Sequence, residues 1–283
     1  MTIPYDDFKR RFKLLASKRQ DLVVNTLSNI FTMRLIGNKT HGDLAEIGIA
    51  EFINQFMYDF KSIHVGKDLF RAKKHEEDIV IINELSQAEF PVSLKAYSNG
   101  PLQLSTDRES KMFPFLEAQG KTIVGQKEIS RIFAAEAFAN FSNINVMPLI
   151  YDEKSKRCNI LVFDHDKAKR ETAKILCVGR GESITGKSKG RKHPIYTFLD
   201  AHDHYICEVR YGDAAANALQ RGLWTHTQHA APFFDSLTDG WIDYTPHLAL
   251  VKLFSLALNA TEQGHTAANV ILQQDLDQLK SAK

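Results

Sequence analysis

The run Asp78-Ile-Val-Ile-Ile-Asn83, followed by Pro91-Val-Ser-Leu-Lys-Ala-Tyr97, decides how the rest of this chain is read. Both runs are dense in β-branched or aromatic residues and the interval between them is mostly polar, so they are predicted to be two strands of one sheet. Successive side chains of a strand point to opposite faces. In the second run Val92, Leu94 and Ala96 therefore share one face, and Ser93, Lys95 and Tyr97 the other. The first strand opens on an acid, Asp78, and the second carries a lysine at its middle, on the face away from the core.

Upstream the pattern is helical. Phe8, Phe12 and Leu15, and later Val23, Leu27, Ile30 and Phe31, recur at three- and four-residue steps, which predicts a helix from Tyr5 to about Ile36 with Lys9, Arg10, Arg11 and Lys13 mostly on its solvated side. Gly37 to Gly42 supplies turn chemistry, and a second helix is predicted from Asp43 to about Phe60. Its apolar line is Ile49, Ile53, Phe56 and Phe60, and three residues before Ile49 stands Glu46. A carboxylate pointed inward or into a cleft there needs a partner, because an uncompensated buried charge is costly; equally, a glutamate at the helix boundary snorkels to water or caps.

Downstream, Ser98-Asn-Gly-Pro101 reads as a turn, followed by a polar stretch to Gln119 and a helix from Gly125 to Phe141. Short β-like runs follow at Val146–Tyr151, Asn159–Phe163, Lys174–Val178, Pro194–Leu199 and Tyr205–Arg210, and helices are predicted at Asp213–Leu223 and His247–Asn259. No linker-like composition and no internal repeat divides the chain. The expectation is one α/β domain over residues 1–283, with helices and the two central strands in 1–145 and strands with further helices in 146–283.

The 283 residues are 43% hydrophobic and 25% charged, ordinary for a globular chain with a substantial core. The net charge of +2 announces no polycation, so an anionic partner has to be met by a local patch. Cys158, Cys177 and Cys207 are odd in number and widely spaced in apolar runs, which predicts reduced, buried thiols. With no apolar signal segment at the start and no run of eighteen apolar residues, a cytoplasmic protein without a membrane span is expected.

Glu46 on a helix, Asp78 at a strand start and Lys95 on the next strand are the residue types that phosphodiester hydrolysis requires. Carboxylates hold a divalent cation that offsets phosphate charge and lowers the pKa of a bound water. A neighbouring lysine orients that water or stabilises developing charge. On Glu46, Glu77-Asp78 and Ser93-Leu94-Lys95, the chain resembles the PD-(D/E)xK nuclease superfamily, most closely its Type II restriction endonucleases. The residue two before the lysine is usually an acid in that family and is Ser93 here.

The resemblance implies a restriction-endonuclease-like core, a mixed β-sheet flanked by helices, and Mg2+-dependent, sequence-specific hydrolysis of double-stranded DNA by a homodimer. Asp78 and Glu46 are the implied metal residues and Lys95 the assistant of the attacking water, with Ser93 an outer ligand or a hydrogen-bond partner. Tyr205 to Tyr211 and Asn217 to Trp224 are similar to the later half of such enzymes, where a strand and helix address the duplex.

Other motifs have rival readings. Gly181-Glu-Ser-Ile-Thr-Gly186-Lys187-Ser188 fits the P-loop spacing, but Gly190 and Pro194 follow where that mechanism needs a helix, so nucleotide binding is not expected. Lys187, Lys189, Arg191, Lys192 and His193 instead concentrate positive charge on one connection, suited to DNA phosphates or equally to a solvated loop. Arg191, Arg210 and Arg221 are candidate base readers, since arginine bidentate to guanine is the commonest specific contact. His202 and His204, with Asp200 and Asp203, read as turn chemistry ahead of a metal site, and Trp224 and Trp241 as core. The rival functions are a repair or junction-resolving nuclease of the same fold and a non-catalytic nucleic-acid-binding protein in which Asp78 and Lys95 are only an ion pair.

Overall fold

In the computed structural model the described residues are 4–35, 41–65, 78–97, 101–142, 145–152, 154–178, 194–211 and 221–247, with Asp277 and Ser281. The expected first helix is two, α1 (Pro4–Lys18) and α2 (Gln20–Leu35). They part at Arg19, whose guanidinium donates to Asp21 at 3.0 and 2.9 Å. An acid in the first turn of α2 is where a helix favours negative charge. Helix α3 (His41–Phe56) stops short of the expected end, and Phe60 starts β1 (Phe60–His64) after the turn at Tyr58 and Asp59.

The central strands are β2 (Ile79–Asn83) and β3 (Glu89–Tyr97), an antiparallel pair with Ile79 opposite Val92. Asn83 shapes their connection by accepting the amides of Leu85 and Ser86. With β6 (Asn145–Asp152), β7 (Arg157–Phe163) and β12 (Phe234–Ser236) they make a sheet in the order β1-β2-β3-β6-β7-β12, to which β13 (Ile242–Asp243) adds beside β7. The sheet is mixed, because β3 and β6 run parallel. Parallel neighbours need a long crossover. Here it carries β4 (Pro101–Thr106), α4 (Met112–Gln119), β5 (Thr122–Val124), α5 (Gln126–Phe133) and α6 (Ala139–Ser142). The stretch expected to be polar connection thus holds a strand, with Leu102 and Leu104 buried, and a helix. The helix expected from Gly125 to Phe141 breaks after Phe133 and resumes through a 3-10 turn at Glu136–Phe138.

Helices α1 to α3 cover one face of this sheet. Phe8, Phe12, Ile49 and Ile53 pack there with Ile79, Ile81, Val92 and Leu94, all at most 2% exposed. A second sheet runs β4-β11-β10-β9-β8-β5, with β8 (Lys174–Val178), β9 (Ile195–Leu199), β10 (Tyr205–Arg210) and β11 (Gly222–His226). Its core gathers Leu104, Ile132, Phe133, Phe138, Phe198 and Val209 with helix α7 (His165–Glu171). Strand β7 serves both cores: Cys158, Ile160 and Val162 enter the first, Leu161 and Phe163 the second. A strand buried on both faces reads as a continuous apolar run, which is what residues 158–163 show apart from Asn159. Burial also pushes the Cys158 thiol up to about 12.

The chain is of mixed α/β class with a strand-rich later half. The predicted helix at 213–223 falls largely outside the described residues, as does the one at 247–259; Leu223 itself lies in β11. Trp241, expected in the core, is 42% exposed and stacks on the Arg157 guanidinium at 4.4 Å. Among the described residues no helix is long and apolar enough to cross a membrane.

Candidate active site

Asp78 stands one residue before β2 and is tied on both sides by its backbone. Its amide donates to Val92 O at 3.1 Å, and its carbonyl accepts from the amide of Val65, just past β1, at 2.9 Å. The β2–β3 ladder ends at the Ile79–Val92 pair, so the next stretch of β3 meets the carboxylate of Asp78 instead of the backbone of β2. Leu94 donates its amide to Asp78 Oδ2 at 2.6 Å, and Ser93 donates its hydroxyl to the same oxygen at 3.0 Å.

Lys95 Nζ lies 3.8 Å from that oxygen too. Three donors on three consecutive residues of β3 thus face one carboxylate oxygen. Among the described residues Oδ1 of Asp78 accepts no hydrogen bond. Alternation along β3 brings this about: Val92 and Leu94 enter the core under α3, and Ser93 and Lys95 are left on the opposite face. Ser93 is 1% exposed, whereas the side chains of Asp78 and Lys95 are 21% and 31% exposed, so water reaches the pair but not the serine.

Glu46 belongs to α3, three residues before Ile49, and its side chain lies outside the described residues. So do Lys187, Lys189, Arg191, Lys192 and the whole P-loop-like run. Arg210 is described, at the end of β10. Its guanidinium lies 3.9 Å over the Trp224 ring and 3.5 Å from Glu208, and its side chain is 14% exposed. Arg221 donates to Ser110 Oγ at 2.9 Å, while its carbonyl accepts the amide of Asp107. The structure thus unites Asp78, Ser93 and Lys95, and sets Arg210 in the second sheet and Arg221 just before its strand β11. Asp200 accepts the amides of His202 and His204, each at 2.8 Å, as turn chemistry predicts.

No protein-family model matches the chain, and no curated protein and no solved structure is similar to it. The site therefore rests on its own geometry.

Sequence reasoning missed a second cluster. Glu208, 6% exposed on β10, has Arg210 at 3.5 Å and His226 Nε2 at 3.6 Å, and the rings of Tyr205, His226 and His229 gather beside it. The available signal was an acid inside an apolar strand, between Cys207 and Val209. Asp107 was missed as well. It caps α4 by accepting the amides of Lys111 and Met112 and also bonds the Tyr211 hydroxyl, which burial first and that carboxylate second hold well above the ordinary phenol range.

Among the described residues no group of three or more His, Cys, Asp or Glu is arranged to hold a metal ion. The donors at Asp78 are nevertheless of the right kind for Mg2+, which takes oxygen ligands, keeps several waters and is commonly held by one or two carboxylates together with substrate phosphates. A part-exposed carboxylate whose Oδ1 accepts no hydrogen bond among the described residues fits that description.

Proposed function

We propose that this protein is a Type II restriction endonuclease that hydrolyses phosphodiester bonds of double-stranded DNA with Mg2+. The observation that carries the reading is the convergence of Ser93, Leu94 and Lys95 on one oxygen of a half-exposed Asp78. Asp78 and Glu46 would hold the cation, whose chemistry is to offset phosphate charge and lower the pKa of a bound water. Lys95 sits beside the carboxylate with its ammonium open to water. It orients the attacking water and stabilises charge as one phosphorus–oxygen bond forms to that water and the bond to the departing strand end breaks, the departing oxygen leaving as a hydroxyl with a proton from water.

Lys187, Lys189, Arg191 and Lys192 would meet phosphates, and Arg210 and Arg221 the bases. A cytoplasmic homodimer suits the task, because two sites related by a twofold axis match the two strands of a palindrome. The test is incubation of plasmid with the protein and Mg2+. Discrete fragments that vanish in Asp78→Ala and Lys95→Ala, with DNA binding retained, bear the reading out; an unchanged pattern in either variant sinks it.

One observation favours a second reading, a non-catalytic DNA-binding protein. The carboxylate of Asp78 takes the Leu94 amide where the ladder has ended, and a purely structural residue would do the same. That reading predicts intact plasmid at every Mg2+ concentration.

A further inference from the structure

Ser93 departs from the acid expected at its position, and the structure gives that departure a use. A carboxylate oxygen offers two lone pairs in its plane. On Oδ2 of Asp78 they face the Ser93 hydroxyl at 3.0 Å and the Leu94 amide at 2.6 Å. An acid at position 93 could not donate when ionised; it would repel Asp78 until a cation lay between them. The serine hydroxyl does the reverse.

Rotation of a carboxylate about its last torsion is soft. One amide alone would leave the group free to swing, whereas two donors from different directions fix its plane. Ser93 is itself fixed, being 1% exposed and paired with Val146 of β6. We infer that Ser93 is a positioning residue: by holding Oδ2 it presents Oδ1 of Asp78 as the oxygen that receives a divalent cation, and it acts through Asp78 without ligating. The inference rests on the nuclease reading of this site.

The experiment is titration of the protein alone with Mn2+, followed by the loss of the free-ion electron paramagnetic resonance signal. The unaltered protein, Asp78→Ala, Ser93→Ala and Ser93→Thr are compared, with melting curves to show that each is folded. Asp78→Ala should abolish binding. Ser93→Ala should weaken it by about tenfold, the scale of one hydrogen bond to a charged group, and Ser93→Thr, which keeps the hydroxyl, should restore it to within about twofold. If Ser93→Ala melts early, Ser93→Cys is read in its place, since it keeps the volume and donates only weakly.

Binding unchanged in Ser93→Ala but lost in Asp78→Ala overturns the inference and leaves the site standing. A folded Ser93→Thr as weak as Ser93→Ala overturns it as well. Binding that does not depend on Asp78, or no binding at all, overturns the site and the inference together.

Discussion

Asp78 and Asp164 invite comparison, because their surroundings are nearly the same and their oxygens are used differently. Their side chains are 21% and 20% exposed, and each takes one backbone amide and faces one lysine. At Asp164, the N-cap of α7, the amide of Lys167 donates to Oδ1 at 3.0 Å and Lys9 Nζ donates to Oδ2 at 3.2 Å, so both oxygens are engaged. At Asp78 the amide, a hydroxyl and the ammonium all fall on Oδ2. Exposure and a lysine neighbour therefore do not separate the two aspartates. The distribution of donors over their two oxygens does.

The largest effect expected from that difference is on cleavage. Asp78→Ala and Lys95→Ala should each lower the rate of DNA cleavage in Mg2+ by about a thousandfold, the range of a lost catalytic group, while Asp164→Ala stays within about threefold of the unaltered protein. Initial rates of plasmid linearisation measure all three. Equal loss in Asp164→Ala would erase the distinction between the two aspartates.

Glu208 extends the comparison to a closed site. Its 6% exposed side chain lies between Arg210, stacked on Trp224, and His226, and nothing about it is open to water as Asp78 is. Removing one partner of a buried ion pair leaves the other charge unpaired, which costs about 3 kcal/mol. Glu208→Ala should lower stability by that amount in urea unfolding, whereas Asp78→Ala, at a part-exposed pair whose loss leaves the Leu94 amide and Ser93 hydroxyl without their acceptor, should cost about 1–2 kcal/mol. The reverse order would make Asp78 the structural member of the two.

How much of this was legible in the sequence follows from the range of each interaction. Alternation is local, so the opposite placement of Val92 and Leu94 against Ser93 and Lys95 could be read from β3 alone. The strands β6 to β10 were equally visible as short apolar runs bounded by turn residues. Register is less local: that the ladder stops at Ile79, so that the Asp78 carboxylate takes the Leu94 amide, depends on how the connection between β2 and β3 sets the pairing of Ile79 with Val92.

Helix α7 was missed because its seven residues bury only Ala168 and so carry no apolar period, although Asp164 before it was a usable cap signal. The break at Arg19 was missed because Leu15 and Val23, eight residues apart, still fall within one apolar helix stripe across it. Glu46 was placed on the Ile49–Ile53 line by spacing, and helix α3 does span all three positions.

The smallest effect concerns Asp164 and turns on pH. Burial alone would raise its pKa, but the amide of Lys167 and the ammonium of Lys9 outweigh it and hold the carboxyl below its ordinary range. A folded-state pKa below the unfolded value means that the ionised group stabilises the fold at every pH above about 3.9, and that this contribution fades as the pH falls through the lower, folded value. Asp164→Asn keeps a side-chain oxygen for the Lys167 amide and loses the charge that faces Lys9. Its cost should be about 1 kcal/mol, the upper scale of a partly exposed ion pair, level from pH 7 to about pH 5, and shrinking below about pH 4. Lys9 retains Asp6 at 3.2 Å and Asp235 at 3.7 Å, which keeps the cost from growing larger. Urea unfolding of both proteins at pH 7, 5 and 3 measures the difference. A gap that widens on acidification would show that the Asp164 carboxyl is raised in the fold, and its likeness to Asp78 would then end at the hydrogen bonds.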